Sequence, residues 1–78
     1  METTIIRELT KLIEKAVKKD ESPIGAIIMY NNKIIAKAYN NRNKTNNTLG
    51  HAEIIAIKKA NKRLKSWRLN KCTLYVSL

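Results

Sequence analysis

Apolar side chains recur along the first twenty residues at intervals of three and four. They are Ile5, Ile6, Leu9, Leu12, Ile13, Ala16 and Val17, with Arg7, Glu8, Lys11, Glu14, Lys15, Lys18 and Lys19 between them. This period predicts an amphipathic helix with one buried stripe, ending near Asp20-Glu21 ahead of Ser22-Pro23. From Gly25 to Tyr30 the alternation disappears into a short apolar, β-prone run, which reads as a largely buried strand. Asn31-Asn32-Lys33 makes a tight turn, since Asn tolerates the positive φ of hairpin turns, and Lys33 to Asn40 returns as an antiparallel strand. Asn40 to Gly50 is polar, Asn-rich and basic, a loop of eleven residues, and loops of that length are often functional. A second helix is predicted from about His51 to Lys65. Ala52, Ile54, Ile55, Ala56 and Ile57 make its first two turns apolar nearly all round, which predicts burial on several sides. Asn70-Lys71 then turns into a last strand, Cys72 to Leu78, where Thr73, Tyr75 and Val76 favour β structure. The order is α-β-β-α-β, without repeats, low-complexity tracts or linkers.

Seventy-eight residues allow one domain, 1–78, and the 44% hydrophobic content argues for a packed core built without Phe. The single cysteine, Cys72, excludes an internal disulfide framework and fits a reducing compartment. Met1-Glu2-Thr3-Thr4 lacks the pattern of a signal peptide, and no apolar run is long enough to span a bilayer. The expectation is a cytoplasmic protein with no membrane partner. A net charge of +10 suits a nucleic-acid partner and suits equally a surface that is merely lysine-rich. The candidate contacts are Lys58, Lys59, Lys62, Arg63 and Lys65 on the later turns of the second helix.

The triplet His51-Ala52-Glu53 carries the candidate chemistry. Residues two apart in mid-helix point about 200° from one another and cannot share a site. In a first turn they can, because side chains there lean past the end of the backbone, toward unpaired N–H groups and a partial positive charge. The alternative is structural: Glu53, three residues after Gly50, is well placed for N-terminal capping, with His51 an ordinary first-turn residue.

The triplet does not stand alone. Pro23-Ile24-Gly25-Ala26-Ile27-Ile28, the Asn-Asn hairpin, Ala38-Tyr39-Asn40, His51-Ala52-Glu53-Ile54 and Thr73-Leu74-Tyr75-Val76-Ser77-Leu78 occur in that order. Together they resemble the N-terminal part of the zinc-dependent cytidine/adenosine deaminase superfamily, most closely its bacterial tRNA-specific adenosine deaminases. Ser66-Trp67-Arg68-Leu69 leans toward the same tRNA branch. The resemblance implies a three-layer α-β-α fold, truncated here to α-β-β-α-β with a three-stranded mixed sheet. It implies zinc as cofactor with His51 as a ligand, Glu53 as the catalytic proton shuttle, and Asn40 and Ala52 as substrate contacts. The implied reaction is hydrolytic deamination of a nucleobase, adenosine to inosine in tRNA ahead of cytidine or guanine, with tRNA or a nucleoside as the partner.

Two departures bear on this. The approach to the histidine reads Asn47-Thr48-Leu49-Gly50 where many relatives have an Asp-Pro-Thr-like segment. The family's Glu-Pro-Cys-x-x-Cys, which supplies the other zinc ligands, would follow Leu78. Cys72 cannot replace those cysteines: a helix of about 22 Å followed by a strand climbing about 20 Å back returns the strand's end, not its start, to His51. The chain alone is therefore expected to hold zinc poorly and to be inactive. Its last strand should be an exposed edge that self-associates or pairs with another segment. From a different class, the cluster Lys58, Lys59, Lys62, Arg63, Lys65, Arg68 and Lys71 reads as a small, basic, non-catalytic RNA-binding module, although Trp67 is the only aromatic within it.

Overall fold

The computed structural model describes residues 2–41 and 51–77. At its centre lies β1, Gly25–Tyr30, with β2, Lys33–Tyr39, on one side and β3, Thr73–Ser77, on the other. Alternate side chains of a strand leave on opposite faces. Ile27 and Met29 accordingly pack with Ile5 and Leu12 of α1, Glu2–Lys18. Ala26 and Ile28 pack with Ala52, Ala56 and Ala60 of α2, Ala52–Leu64. A helix on each face explains the unbroken apolar run of β1, and the order α-β-β-α-β and the three layers are as the sequence predicts.

The sheet is antiparallel throughout, not mixed. β2 and β3 do run in the same direction, which the helical connection between them permits. That connection delivers β3 to the far side of β1, however, so no two neighbouring strands are parallel. The hairpin turn has both Asn31 and Asn32 at positive φ, 52° and 60°, as a two-residue primed turn requires. Register slips once, from Ile28 opposite Ala36 to Met29 opposite Ile34, leaving Ile35 as the extra residue of a bulge. The bulge places Ile35 and Ala36, adjacent in sequence, in the same core under α2 while Ile34 packs on the α1 side.

Both helices bury less of their apolar surface than the sequence suggests. On α1 the stripe narrows to Ile5, Leu12 and Ala16 with Leu9 beside it, while Ile6 and Val17 remain 64% and 58% exposed. Those two are eleven residues apart, about three turns, and so share a flank that lies off the sheet. On α2 burial is one-sided: the alanines at 52, 56 and 60 have no exposed surface, Ile54 and Ile55 are half-buried and Ile57 is exposed. The alanine row meets Ala26, Ala36 and Ala38 of the sheet, and alanine against alanine lets the helix settle close along that row. α2 lies over β1 and β2, which leaves Leu74 and Val76 of β3 uncovered on that face.

Both helices end in the same way. Asp20 N–H reaches Val17 O and Glu21 N–H reaches Ala16 O; Lys65 N–H reaches Lys62 O and Ser66 N–H reaches Asn61 O. With Asp20 and Lys65 in the left-handed region, both are Schellman turns. The first of them turns the chain toward β1, where Gly25 lies so near α1 that a Cβ would stand 3.0 Å from Leu12 Cβ. No helix among the described residues is long and apolar enough to cross a membrane.

Candidate active site

The first turn of α2 is held by a residue twelve positions upstream. Asn40, the residue after β2, is buried at 2% exposure, and its Oδ1 accepts the Ala52 N–H at 2.8 Å. Because an N–H can pair only with an oxygen there, this bond also fixes which way the Asn40 amide faces. The Asn40 N–H donates to Ile24 O at 3.2 Å, extending the β1–β2 ladder by one bond. The end of β2, the start of β1 and the mouth of α2 are thus bonded into one unit.

His51 is the N-cap residue, extended at φ −75°, ψ 139°, and its carbonyl accepts the first helical bond from Ile55 N–H at 3.0 Å. Its side chain makes no cap bond. Among the described residues it is Asn40 that caps the first turn, through the Ala52 N–H; the capping reading of Glu53 rests on Gly50, which lies outside them. Nδ1 of His51 stands 3.6 Å from Oε1 of Glu53, both side chains a little under two-fifths exposed. Imidazole and carboxylate face one another across the helix mouth, open to solvent and to a ligand. Ala52, its methyl fully buried, offers the site only its backbone, and its N–H is already bonded to Asn40.

Ser77, opposite Gly25 in the sheet, marks where β3 re-enters this end of the molecule. Cys72 lies at the other end, packed with Tyr30, Leu64 and Leu69 against the α2-side core, as the element lengths predict. Among the described residues no group of three or more His, Cys, Asp or Glu could hold a metal ion. Structural and catalytic zinc takes three or four protein ligands, so His51 with Glu53 does not by itself fit the ion. The segment Asn47–Gly50, most of the loop before it, and Leu78 lie outside the described residues.

Of the cationic candidates, Lys58, Lys62, Arg63 and Lys65 are exposed. Lys59 is committed to the sheet: its Nζ donates to Lys37 O at 2.8 Å, occupying an edge carbonyl of β2. Sequence reading did not single out Glu21, which is buried at 7% exposure on the approach to β1 and has partners of its own. The only sequence signal there is an acid directly ahead of Ser22-Pro23.

An α-β-α sandwich with a histidine and a glutamate facing each other at the mouth of its second helix is the architecture of the cytidine-deaminase-like deaminases. The chain belongs to the MafB19-like deaminase family, which it matches over residues 2–78. It is 44% identical over 73 residues to a tRNA-specific adenosine deaminase of Bacillus subtilis and 47% identical over 75 residues to one of Rickettsia bellii. Each match covers 94% of this chain but 45% and 52% of those proteins, so the chain spans about half the length of these relatives. Among solved structures, a protein studied for A-to-I editing by tRNA:A34 deaminases superposes with a TM-score of 0.92 at 32% identity, covering 97% of this chain and 58% of that one. The guanine deaminase of Bacillus subtilis superposes at 0.87 and 36% identity, over 96% of this chain and 48% of its own.

Proposed function

We propose that this chain forms the proton-transfer half of a tRNA adenosine deaminase. The observation that carries the reading is the His51–Glu53 pair at the mouth of α2, with Asn40 buried beside it. In hydrolytic deamination water adds to C6 of adenine, the C–N bond breaks and ammonia leaves. Glu53 is the group that takes a proton from the attacking water and passes it to the ring nitrogen, then carries the second proton, from the added hydroxyl, to the departing amine. Asn40, its Oδ1 bonded to the helix, presents the other end of its amide to the nucleoside, and Ala52 serves by orienting it. His51 is one metal donor. The remaining donors of a zinc site come from outside the described residues. The tRNA-deaminase names of its relatives favour adenosine in tRNA over guanine.

The test is a chimera in which this chain replaces the matching half of the Bacillus subtilis tRNA-specific adenosine deaminase. It should form inosine in tRNA, and E53A should lower the rate by about 10²–10⁴, the range for losing a general acid–base group. A folded, metal-loaded chimera that leaves tRNA adenosine intact, or that deaminates free guanine in preference, overturns the reading.

We further propose that β3 pairs with another strand, from a second copy or from further chain. It is an edge among the described residues, and Leu74, Tyr75 and Val76 are 37–44% exposed on it.

A further inference from the structure

Every carboxylate side chain lies at or before residue 53. The 25 residues from 54 to 78 hold seven lysines and arginines and no acid. Within that run the cations from Lys58 to Lys71 enclose a single aromatic, Trp67, too few for a surface that binds nucleobases.

The fold adds aromatics from elsewhere. Antiparallel pairing brings the end of β1, with Tyr30, beside the turn that leads into β3. Two concavities of about 320 and 370 Å³ open there. The first, on the α2 side, is lined in part by Leu64, Arg68 and Leu69, the second in part by Asn31 and Tyr75. Both are lined by Tyr30 and Lys71, so they adjoin at the end of β1. Trp67 stands in the same α2–β3 connection, 80% exposed, with the Arg68 guanidinium 5.2 Å from its ring centroid. A large apolar ring left in water beside a cation is poorly placed for stability and well placed to receive a stacked ring. Lys58 and Lys62 stand four residues apart on one flank of α2, and Lys65 follows at its left-handed cap, two residues before Trp67.

From this we infer that the pole opposite His51 and Glu53 binds single-stranded RNA, with bases stacked on Trp67 and entering the concavities beside Tyr30, and phosphates neutralised by Arg68, Lys71 and the neighbouring lysines. Aromatic faces accept any base, and cations spaced along a track take the backbone, which together suit single strands rather than a rigid duplex. The thirteen residues of α2 separate this surface from the helix mouth by about 20 Å. It stands independently of the deaminase reading, since neither its residues nor its ligand class requires chemistry at Glu53.

Trp67 is the only tryptophan, so its emission reports this pole alone. Titrating the chain with a single-stranded oligouridylate should quench that emission. By fluorescence anisotropy W67A should weaken binding about tenfold, within the range for stacking of one base, and W67F should recover most of the loss. R68Q should reduce the log–log salt slope by about 0.7, the value for one phosphate contact on a single strand. Trp67 is exposed enough that its removal should not unfold the chain, and circular dichroism of W67A checks this. Binding without quenching, or W67A binding as tightly as the parent, overturns the inference. So does equal quenching by double-stranded RNA or by anionic phospholipid vesicles, because charge alone would then explain the contact. Inosine is not measured, so failure here and failure of the deaminase reading are distinct results.

Discussion

Asn40 illustrates how much one side chain can carry at a junction. In sequence it is a polar residue ending a strand, and by resemblance a substrate contact; in the fold it is the acceptor that holds the first turn of α2 beside β1. Removing that acceptor leaves the Ala52 N–H unpaired next to a core with no exposed surface, a loss of about 1–3 kcal/mol. N40A should therefore lower the urea midpoint clearly. N40D keeps an oxygen for Ala52 but loses the amide N–H₂, so it should retain most of the stability while abolishing deamination in the chimera. Equal loss of stability in both variants would mean that the Asn40 bond contributes little. His51 and Glu53 were legible from the sequence because their spacing makes sense only where a helix begins, and α2 does begin there. The capping role of Asn40 was not legible, because it depends on a contact across twelve residues.

Between elements, one exposed ionic group ties α1 to β2. Glu8 receives Lys37 Nζ at 3.1 Å and Lys11 Nζ at 3.3 Å. The Lys37 hydrogen bond foremost, then that of Lys11, holds the Glu8 carboxyl below its ordinary value of 4.5. A carboxyl whose folded value is lowered adds stability above its unfolded value and loses it as pH falls through the folded one. The stability of the parent should thus decline more steeply than that of E8Q as the pH is taken below about 4.5. Urea midpoints measured across that window decide the matter, and parallel profiles would remove Glu8 from the account. At this scale the sequence overstated burial on both helices. Periodicity says which side of a helix is apolar but not how far the neighbouring sheet extends, so Ile6, Val17 and Ile57, which it assigns to the core, lie exposed.

The molecule as a whole is thin, with extents of 33 × 28 × 15 Å, and its sheet has an uncovered margin. α2 covers β1 and β2 but not β3, so Leu74 and Val76 face outward beside a strand that is an edge among the described residues. Edges of this kind recruit other strands unless a charge intervenes. Sedimentation should show concentration-dependent association at tens of micromolar, and V76K, which puts a lysine on the strand, should abolish it. A parent chain that sediments as a clean monomer throughout that range would count against pairing through β3. Net charge opposes association of identical chains, so the effect should strengthen with added salt.

The sequence by itself determined the kinds and order of the elements, the Asn31-Asn32 turn, the burial of the first strand and the placing of His51-Ala52-Glu53 at a helix mouth. Each follows from local periodicity, turn chemistry or helix-end geometry. The separation of Cys72 from His51 followed from element lengths alone. Tertiary structure decided what depends on which elements meet. It put β1 between β2 and β3, making every strand pair antiparallel although β2 and β3 run in the same direction. It spent Lys59 on the β2 edge and Asn40 on the mouth of α2. It also brought Tyr30 and Tyr75 to Lys71, adding two aromatic rings from the strands to a basic run with one tryptophan. Such neighbours are set by how the strands and helices pack, which no period along the chain records.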